Sequence, residues 1–577
     1  MTFIAAVAAG IASAQSLQSA CEARVANGEI SLACHGEFVV AWSTDCQWID
    51  VVDDGDVQVV LDGRLHNLSS PSTGQAELLL QRYRAQGVDV ARGLLGDFVL
   101  IILDRVANTL LIARDPLGVR PWYQATSSRR HAGASDVATL VSLPWVDATV
   151  NERIAIEYLA AVEESRGETI HRGISTLRPG ETWRSDGSRA MTSAHHRWEL
   201  QPELEISWED AAQRCRDALD EAVRCRLEVA EPATSELSGG LDSSSVVGTA
   251  AMLGRKDLVV GRLLFDGPRA DERVYSDAVI SHWGLPAVSA PPWLPTEEES
   301  WDLTRQLRRP PPDPNFTMFA SLHRILLSNG RLNGLTGLGG DDAFVASGIG
   351  PRVVSAVRLG QRSILRELAC SATRSPRRSW AELVRPTLGY LAAPWRRSGP
   401  PRWVSATAAA RADLRRPFRR HAERVTGIDA IDERIGNLTS GYDASILETR
   451  AIVTDWVGRR ESHPFLDPRF VKATYGLDPW WPTRGGHYRA LQVEAFRDRL
   501  PATVANRRSK AEFSEVFWPQ MLDDTTLSGV RSGPLTELGW LDPEGFDALT
   551  ADAKQGMANS AIPLSRCVSL HHWMRTL

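Results

Sequence analysis

The sequence predicts an α/β protein built from two domains, and three observations support this fold class. The chain has 577 residues, which is more than one compact domain usually contains. The first 200 residues alternate short apolar runs with Gly and Asp turns, a pattern typical of strands. From Ser207 onward, long amphipathic helices alternate with strands and glycine turns, as in α/β domains. We therefore predict a β-rich domain at residues 1–200 and an α/β domain at residues 207–577.

The β-rich half is predicted to contain several buried strands and one amphipathic helix. The helix is expected at residues 75–86, where Leu79, Leu80 and Tyr83 recur at helical spacing. The apolar start at residues 3–14 is expected to be a buried strand that runs into a turn, because no Lys or Arg precedes it. The clearest predicted strands are residues 38–42, 57–61, 98–103 and 109–113.

The second half begins with a long predicted helix at residues 208–229. A strand, a glycine turn and another helix at residues 245–253 follow it. Residues 351–425 are rich in Arg, Pro and Trp and contain no lysine, which fits either a helical insertion or a partly mobile surface. The chain from residue 441 to its end is expected to be helical.

Composition and charge exclude several classes of protein. A formal net charge of −6 argues against general nucleic-acid binding. No later stretch approaches the roughly 20 apolar residues of a membrane span. The seven cysteines are scattered and form no CxxC pair, which fits a reducing compartment. We expect a cytoplasmic protein that has neither nucleic acid nor a membrane as a partner.

The most informative segment is a glycine turn between a strand and a helix near residue 240. Glycines allow a tight turn in which backbone N–H groups and hydroxyls face a polyanion, and the start of a helix adds further donors. An acidic residue at a phosphate site, here Asp242, is explained if it holds Mg²⁺. The candidate nucleotide-binding residues are Ser238, Gly239, Gly240, Leu241, Asp242, Ser243 and Ser244.

This string resembles the signature of the pyrophosphatase-loop ATP family, the adenine-nucleotide α-hydrolases, and within it the asparagine synthetase group. The resemblance implies ATP and Mg²⁺ as cofactors and cleavage of ATP between its α and β phosphates, which leaves an acyl-adenylate. Residues 336–342 resemble the second metal loop of that family. They imply nucleotide binding by Thr336 and Gly337 and a shared Mg²⁺ on Asp341, with Asp342 as the alternative one residue away.

Two more segments resemble parts of the nucleotide site in that family. Phe265 and Glu272 lie in a segment similar to its acidic segment after the second strand, which implies that Phe265 binds nucleotide and Glu272 orients substrate or metal. A solvated helix start is the alternative for Glu272. Residues 507–513 resemble the Arg-x-Lys-x-x-Phe loop, so Lys510 is expected to contact the α-phosphate and to offset charge in the transition state.

The segment at residues 463–467 matches a family signature that lines the substrate side of the cleft. In relatives, a Glu that helps to remove a proton precedes this signature. The direct register places Arg460 there, whereas Glu461 lies one residue away. We predict Glu461 as the catalytic carboxylate.

Residues 1–190 resemble the class II glutamine amidotransferase domain, an αββα sandwich, and residues 113–123 are a close match to its core motif. In working members residue 2 is a nucleophilic Cys, whereas this chain has Thr2. The Asn-Gly of the oxyanion hole appears here as Asp62-Gly63, and an acid would repel the developing oxyanion. We expect a domain without glutaminase activity that is structural or shapes the mouth of the synthetase site.

The resemblance leaves the attacking amine open. β-Lactam synthetases place a Tyr, and asparagine synthetases a Glu, where this chain has Leu338, which cannot transfer a proton. Together with the bulky insertion, this favours a lasso-peptide cyclase, which adenylates an Asp or Glu side chain of a core peptide and joins it to the peptide N-terminus as a macrolactam. A leader peptidase and a leader-binding protein are the expected partners. The alternatives are an asparagine synthetase, a β-lactam synthetase-type ligase and a non-catalytic scaffold.

Overall fold

The computed structural model places three β-sheets along the chain. Two antiparallel six-stranded sheets lie in the N-terminal half and one parallel five-stranded sheet in the C-terminal half. The structure describes residues 4–8, 19, 30–44, 48–68, 73–127, 130–162, 167–228, 233–267, 269–311, 317–345, 349–361, 384–392, 399–414, 425–438, 441–482, 489–507, 511, 516 and 521–577. None of the helices in these ranges is long and apolar enough to cross a membrane.

The two N-terminal sheets have the strand orders β10-β8-β9-β1-β3-β2 and β12-β11-β7-β6-β5-β4. Their strands are β1 (Ile4–Ala8), β2 (Ile30–His35), β3 (Phe38–Ser43), β4 (Ile49–Asp53), β5 (Val57–Leu65), β6 (Gly96–Asp104), β7 (Thr109–Arg114), β8 (Tyr123–Ser127), β9 (Arg130–Ala134), β10 (Ile174–Thr176), β11 (Glu181–Ser185) and β12 (Ala190–Ala194). The helices of this half are Gln75–Gln86, Val137–Val141 and Glu152–Leu159, with a 3₁₀ helix at Gly87–Ala91.

Strand β6 shows why these elements stack in layers. Successive side chains of a strand point to opposite faces, and β6 is buried on both. Leu100 belongs to the same buried cluster as Leu79 of the helix Gln75–Gln86, whereas Ile101 shares a cluster with Val40 of the first sheet. On the far side of that sheet, the helix Val137–Val141 packs against β8 and β9 and shares a buried cluster with residues of β3. The layers therefore follow the predicted αββα order.

The parallel sheet of the C-terminal half has the order β15-β14-β13-β16-β17. Its strands are β13 (Ala233–Glu236), β14 (Val259–Leu263), β15 (Ala287–Ala290), β16 (Asn333–Leu335) and β17 (Arg460–Ser462). The surrounding helices are Trp208–Leu227, Leu241–Met252, Arg273–Trp283, Glu297–Leu307, Ala320–Ser328, Gly340–Phe344, Ile349–Arg358, Arg385–Ala392, Ala406–Arg411, Asp429–Leu438, Gly441–Val457, Pro468–Thr474, Ala490–Ala495, Ala502–Ala505, Asp524–Ser532, Pro534–Glu537, Pro543–Lys554 and Ala561–Met574, with 3₁₀ helices at Pro464–Leu466 and Ala558–Ser560.

Most of the elements predicted from the sequence are confirmed. Strands β3, β5, β6 and β7 cover the four predicted runs, and the helix Gln75–Gln86 has the predicted bounds. The predicted start of the next helix at Ser245 is wrong by four residues. Gly240 is the N-cap of this helix, which begins at Leu241. The described parts of residues 351–425 include three helices. Thr2 lies outside the described residues, and the domain boundaries stay predictions.

A buried network of four charged side chains joins the two halves of the chain. Asp62 of β5 has a relative exposure of 0%. Its carboxylate accepts hydrogen bonds from Arg120 at 2.8 Å and from Arg460 of β17 at 2.6 Å. Asp455 accepts from the same two arginines, at 2.9 Å from Arg120. Because two acids alternate with two bases, no charge in this interface is buried alone.

We expect Asp62→Ala to destabilise the protein by about 3 kcal/mol, because two buried guanidinium groups lose a shared carboxylate. The measurement is the apparent melting temperature, which should fall by several degrees. Asp56→Ala is the matched control, since Asp56 is an exposed residue in the turn before the same strand. Equal melting temperatures for the two variants would contradict the importance of this network.

Candidate active site

Two glycine-rich loops lie at the same edge of the parallel sheet. The first follows β13 and leads into the helix Leu241–Met252, and the second follows β16 and leads into the helix Gly340–Phe344. Strands β13 and β16 are parallel neighbours, so their carboxyl ends meet at one edge. This edge is where ligands bind in open α/β sheets. The structure therefore brings the two sequence-predicted loops together.

Two glycines allow the loops to approach each other closely, and a third lets the first loop pack against a neighbouring helix. A Cβ atom at Gly337 would lie 2.5 Å from the backbone nitrogen of Ser243, and one at Gly340 would lie 2.2 Å from Oδ1 of Asp242. Gly239 has a φ of +86°, and a Cβ there would lie 2.6 Å from Cβ of Tyr275. Both loops therefore need glycine for packing as well as for their turns.

Hydroxyl groups fix the shape of both loops. In the first loop, the backbone nitrogen of Gly240 donates to Oγ of Ser238, and the backbone nitrogen of Ser238 donates to Oγ of Ser243, both at 3.2 Å. In the second loop, Oγ1 of Thr336 lies 2.7 Å from Nδ1 of His463 and accepts from the backbone nitrogen of Leu338 at 3.2 Å. The Thr336 hydroxyl is therefore fixed by the His463 ring and by the backbone of its own loop.

The two predicted metal ligands meet at one guanidinium group. Arg489 donates to Oδ1 of Asp242 at 2.5 Å and also forms an ion pair with Asp341. Gln492 donates to the same Asp242 oxygen at 2.9 Å. A positive charge between two carboxylates offsets their repulsion. Carboxylate oxygens are also the ligands that Mg²⁺ prefers, so these residues fit a divalent cation. The roles of Asp242 and Asp341 as metal ligands stay predictions.

Glu272 is not the solvated helix start that was the alternative for it. It precedes the helix Arg273–Trp283, and its carboxylate forms an ion pair with Arg507 at 2.6 Å. The Arg507 guanidinium lies over the Tyr275 ring, 4.1 Å from its centre, and donates to the carbonyl oxygen of Gly239 at 3.3 Å. Glu272 therefore holds Arg507 against the first loop. Its orienting role stays a prediction.

The two remaining candidates for this edge of the sheet are Phe265 and Lys510. Phe265 is buried beyond the end of β14 and packs with Ala270 and Met318. It lies at the same edge of the sheet as the two loops, because β14 is parallel to β13. Lys510 lies outside the described residues, so its role also stays a prediction.

Strand β17 shows which of Arg460 and Glu461 points toward the synthetase side. Side chains alternate along a strand. Arg460 binds Asp62, and Ser462 donates to Asp97 of β6 at 3.1 Å, so both face the N-terminal half. Glu461 points the other way, with a side-chain exposure of 3%. The carboxylate on the synthetase side is therefore Glu461.

Glu461 belongs to a cluster that the sequence analysis missed. Arg450 donates to Glu461 at 2.5 and 2.8 Å and to Glu236 at 2.5 Å. Burial raises the pKa of Glu461 to about 8 against the attraction of Arg450, and the Glu236 carboxylate adds to the increase. Glu236 is the last residue of β13, so the ligand-binding edge of the sheet was a signal that could have identified it.

His323 completes this cluster and determines what it can bind. Its Nε2 lies 3.3 Å from Glu461 and 3.8 Å from Glu236. Arg459 donates to its Nδ1 at 2.6 Å, so the neutral ring carries its proton on Nε2. Burial and the charges of Arg459 and Arg450 lower the pKa of His323 well below its ordinary value. Glu236, His323 and Glu461 have metal-ligand side chains, but a protonated Nε2 and a guanidinium between the carboxylates oppose metal binding here.

A cavity of about 480 Å³ lies away from both loops, between the helices Glu297–Leu307 and Ala561–Met574. Thr304, Thr526, Ser565 and His572 are among its lining residues. None of the predicted nucleotide-binding residues lines it, so we assign it no part in the chemistry.

Comparison with known families agrees with this arrangement. The family described as asparagine synthase matches residues 214–575, which is more than half of the chain. A glutamine amidotransferase domain matches residues 57–198. These matches confirm the predicted fold class of a glutamine amidotransferase-like domain followed by an α/β synthetase domain.

Curated relatives match only part of the chain. Asparagine synthetase (glutamine-hydrolyzing) 3 of Bacillus subtilis (strain 168) is 29% identical over 184 residues, which cover 31% of this chain and 29% of the relative. A putative asparagine synthetase (glutamine-hydrolyzing) of Mycobacterium tuberculosis (strain ATCC 25618 / H37Rv) is 26% identical over 192 residues, 32% of this chain and 29% of the relative. The match thus spans less than a third of these relatives' length.

Among solved structures, a glutamine phosphoribosylpyrophosphate amidotransferase from B. subtilis, complexed with ADP and GMP, is 10% identical to this chain. The match covers 50% of this chain and 65% of that one. Its TM-score of 0.24 is too low to support any conclusion.

We expect Gly340→Ala to reduce ATP turnover by at least about tenfold, the equivalent of 1.4 kcal/mol in the barrier. The added methyl group collides with Asp242 and separates the two loops. The measurement is pyrophosphate release under saturating substrate. Gly389→Ala is the control, because a Cβ at Gly389 meets nothing within 4 Å. Unchanged turnover in Gly340→Ala would show that the two loops need not lie so close.

The raised pKa of Glu461 predicts a pH-dependent stability. Between the unfolded pKa of about 4.3 and the folded pKa of about 8, the folded state keeps a proton that the unfolded chain loses. This contribution to the stability is therefore lost as the pH rises through that window, by up to about 1.4 kcal/mol per pH unit. Glu461→Gln imitates the protonated side chain, so its melting temperature should rise relative to the parent protein between pH 6 and 8.5.

The control for this comparison is Glu228→Gln, since Glu228 is exposed at the end of the helix Trp208–Leu227. Its melting temperature should follow that of the parent protein at every pH. A constant difference between Glu461→Gln and the parent would refute the raised pKa.

Proposed function

The chain belongs to the asparagine synthase family of ATP-dependent amide-forming ligases, and we propose that it joins an adenylated carboxylate to an amine that does not come from glutamine. The observation that carries this proposal is the burial of Asp62. An oxyanion hole must present its donors to the substrate. Asp62 occupies that position by resemblance, yet it is bound by Arg120 and Arg460 and is closed to any substrate.

The first half-reaction takes place at the two glycine loops. A carboxylate oxygen of the substrate attacks the α-phosphorus of ATP, the bond to the bridging oxygen breaks, and pyrophosphate leaves. The backbone and hydroxyl groups of residues 238–244 bind the departing phosphates. Asp242 and Asp341 would hold Mg²⁺, which screens the phosphate charges. Arg507, held by Glu272, places a further positive charge beside the first loop.

The second half-reaction forms the amide. The amine nitrogen attacks the acyl carbon, the bond between that carbon and the AMP oxygen breaks, and AMP leaves. The amine must also lose a proton to a base. By resemblance Lys510 offsets the charge on the leaving phosphate. Proximity of the amine and the acyl group lowers the entropic part of the barrier.

We propose that the substrate is a peptide whose own N-terminal amine attacks an adenylated Asp or Glu side chain, which gives a macrolactam. Leu338 supports this choice, because it is apolar at the position where the small-molecule enzymes carry a proton-transferring residue. Its side chain packs against the core of the C-terminal half. A leader peptidase and a leader-binding protein are the partners that this substrate requires.

A second candidate is an asparagine synthetase that uses free ammonia. The printed names of the relatives favour it, although they describe proteins that this chain matches over less than a third of their length. The two candidates differ in the amine and the carboxylate, not in the adenylation step. One experiment can therefore separate them.

That experiment measures pyrophosphate release with ATP and Mg²⁺ for two substrate sets. One is a core peptide with a free N-terminus and a side-chain Asp or Glu, and the other is aspartate with ammonia. We expect release with the peptide and the loss of one water from its mass. Release only with aspartate and ammonia would establish the second candidate, and release with neither would refute the ligase proposal.

Asp242→Asn should lower pyrophosphate release by about 100-fold, because it removes a charge that the metal needs. Asp257→Asn is the control, since Asp257 is exposed before β14 at the opposite edge of the sheet. Full activity of Asp242→Asn would overturn the metal assignment.

A further inference from the structure

Glu236 and Glu461 differ in their access to the cleft. Both carboxylates bind the Arg450 guanidinium. The side chain of Glu236 is 18% exposed, whereas that of Glu461 is 3% exposed and lies under His323 and Arg450. Strand β13 ends at Glu236, two residues before Ser238, where the first glycine loop begins. Of the two carboxylates, Glu236 is therefore the one that a substrate bound at this edge can reach.

The surroundings of the pair decide which carboxyl group carries a proton. Both carboxylates accept a hydrogen bond from the same Arg450 nitrogen, so their charges would repel each other and a proton on one of them is favoured. Burial favours the proton on Glu461, because its pKa is raised to about 8. The other ionisable groups that face the pair are Arg450, Arg459, His323 and His463. Both histidines are neutral at pH 7, since burial lowers the pKa of each, so neither competes for the proton.

We propose that Glu236 is the general base that takes the proton of the attacking amine, and that Glu461 is its protonated positioning partner. This inference rests on the proposed ligase function. The amine N–H bond breaks as the C–N bond forms, and the proton passes to the Glu236 carboxylate. AMP leaves with the electrons of the broken C–O bond, so charge and atoms balance. Arg450 holds the pair in one geometry through both states.

The arrangement separates the two half-reactions. The residues of the glycine loops act on ATP, whereas Glu236 acts only once the amine attacks. A variant that lacks the base should therefore still adenylate the carboxylate. Hydroxylamine is unprotonated at neutral pH and needs no such base, so it captures the acyl group as a hydroxamate without Glu236.

The test compares Glu236→Gln, Glu461→Gln and the control Glu228→Gln in the full-length protein, with the core peptide or with aspartate and ammonia, whichever is turned over. We expect Glu236→Gln to keep the pyrophosphate release of the first turnover and hydroxamate formation with hydroxylamine, and to form the amide about 100-fold more slowly at pH 7. This deficit should shrink toward pH 9, because more of the amine is then unprotonated. Glu461→Gln should show a smaller loss, and Glu228→Gln none.

Four results would overturn the proposal. The first is amide formation by Glu236→Gln at the parent rate, and the second is a deficit that does not change with pH. The third is a larger loss in Glu461→Gln than in Glu236→Gln. The fourth is loss of hydroxamate formation in Glu236→Gln, which would place Glu236 in the adenylation step or in the fold. If the parent protein forms no hydroxamate, the ligase function fails as well, which separates that failure from the other four.

Discussion

The buried carboxylate of Asp62 constrains both halves of the protein. A charge with no solvent contact must be balanced where it lies, and Arg460 of β17 supplies half of that balance. Ser462 makes a second bond from the same strand to Asp97. Because side chains alternate along β17, these two bonds fix the orientation of Glu461 on its other face. The N-terminal half thus determines the geometry of the carboxylate pair in the synthetase half.

Charge balance also organises the nucleotide edge of the sheet. Two glycine loops bring Asp242 and Asp341 together, which is unfavourable unless a cation lies between them. Arg489 fills that position from a backbone conformation with a φ of +52°, in the left-handed region that few side chains adopt. A divalent cation that binds these carboxylates must compete with this guanidinium. If Mg²⁺ binds here as proposed, its affinity would include the cost of moving Arg489.

The elements and loops that could be predicted are those encoded locally. The β-rich character of the first half follows from short apolar runs between turns, whereas the αββα order was implied by the resemblance to the amidotransferase domain. The two loops follow from short strings of glycine and acidic residues. Arg489 and Arg450 could not be identified in this way, because Arg489 reaches Asp242 and Arg450 reaches Glu236 from more than 200 residues away. The choice between Arg460 and Glu461 likewise depended on which face of a three-residue strand meets the other domain.

On the proposal that position 62 corresponds to the oxyanion hole of amidotransferases, the same network predicts that one substitution at this position would not create a glutaminase site. An Asn at position 62 would restore the amide of the family motif, but the side chain would still be buried. Arg120 and Arg460 would remain beside it, and among the residues that the structure describes each would then keep only Asp455 as a carboxylate partner. An oxyanion hole requires exposed donors, so both arginines would have to leave as well. Losing Arg460 would still leave the Ser462–Asp97 bond between β17 and the N-terminal half, but the carboxylate pair of the synthetase would lose part of the anchor that orients it.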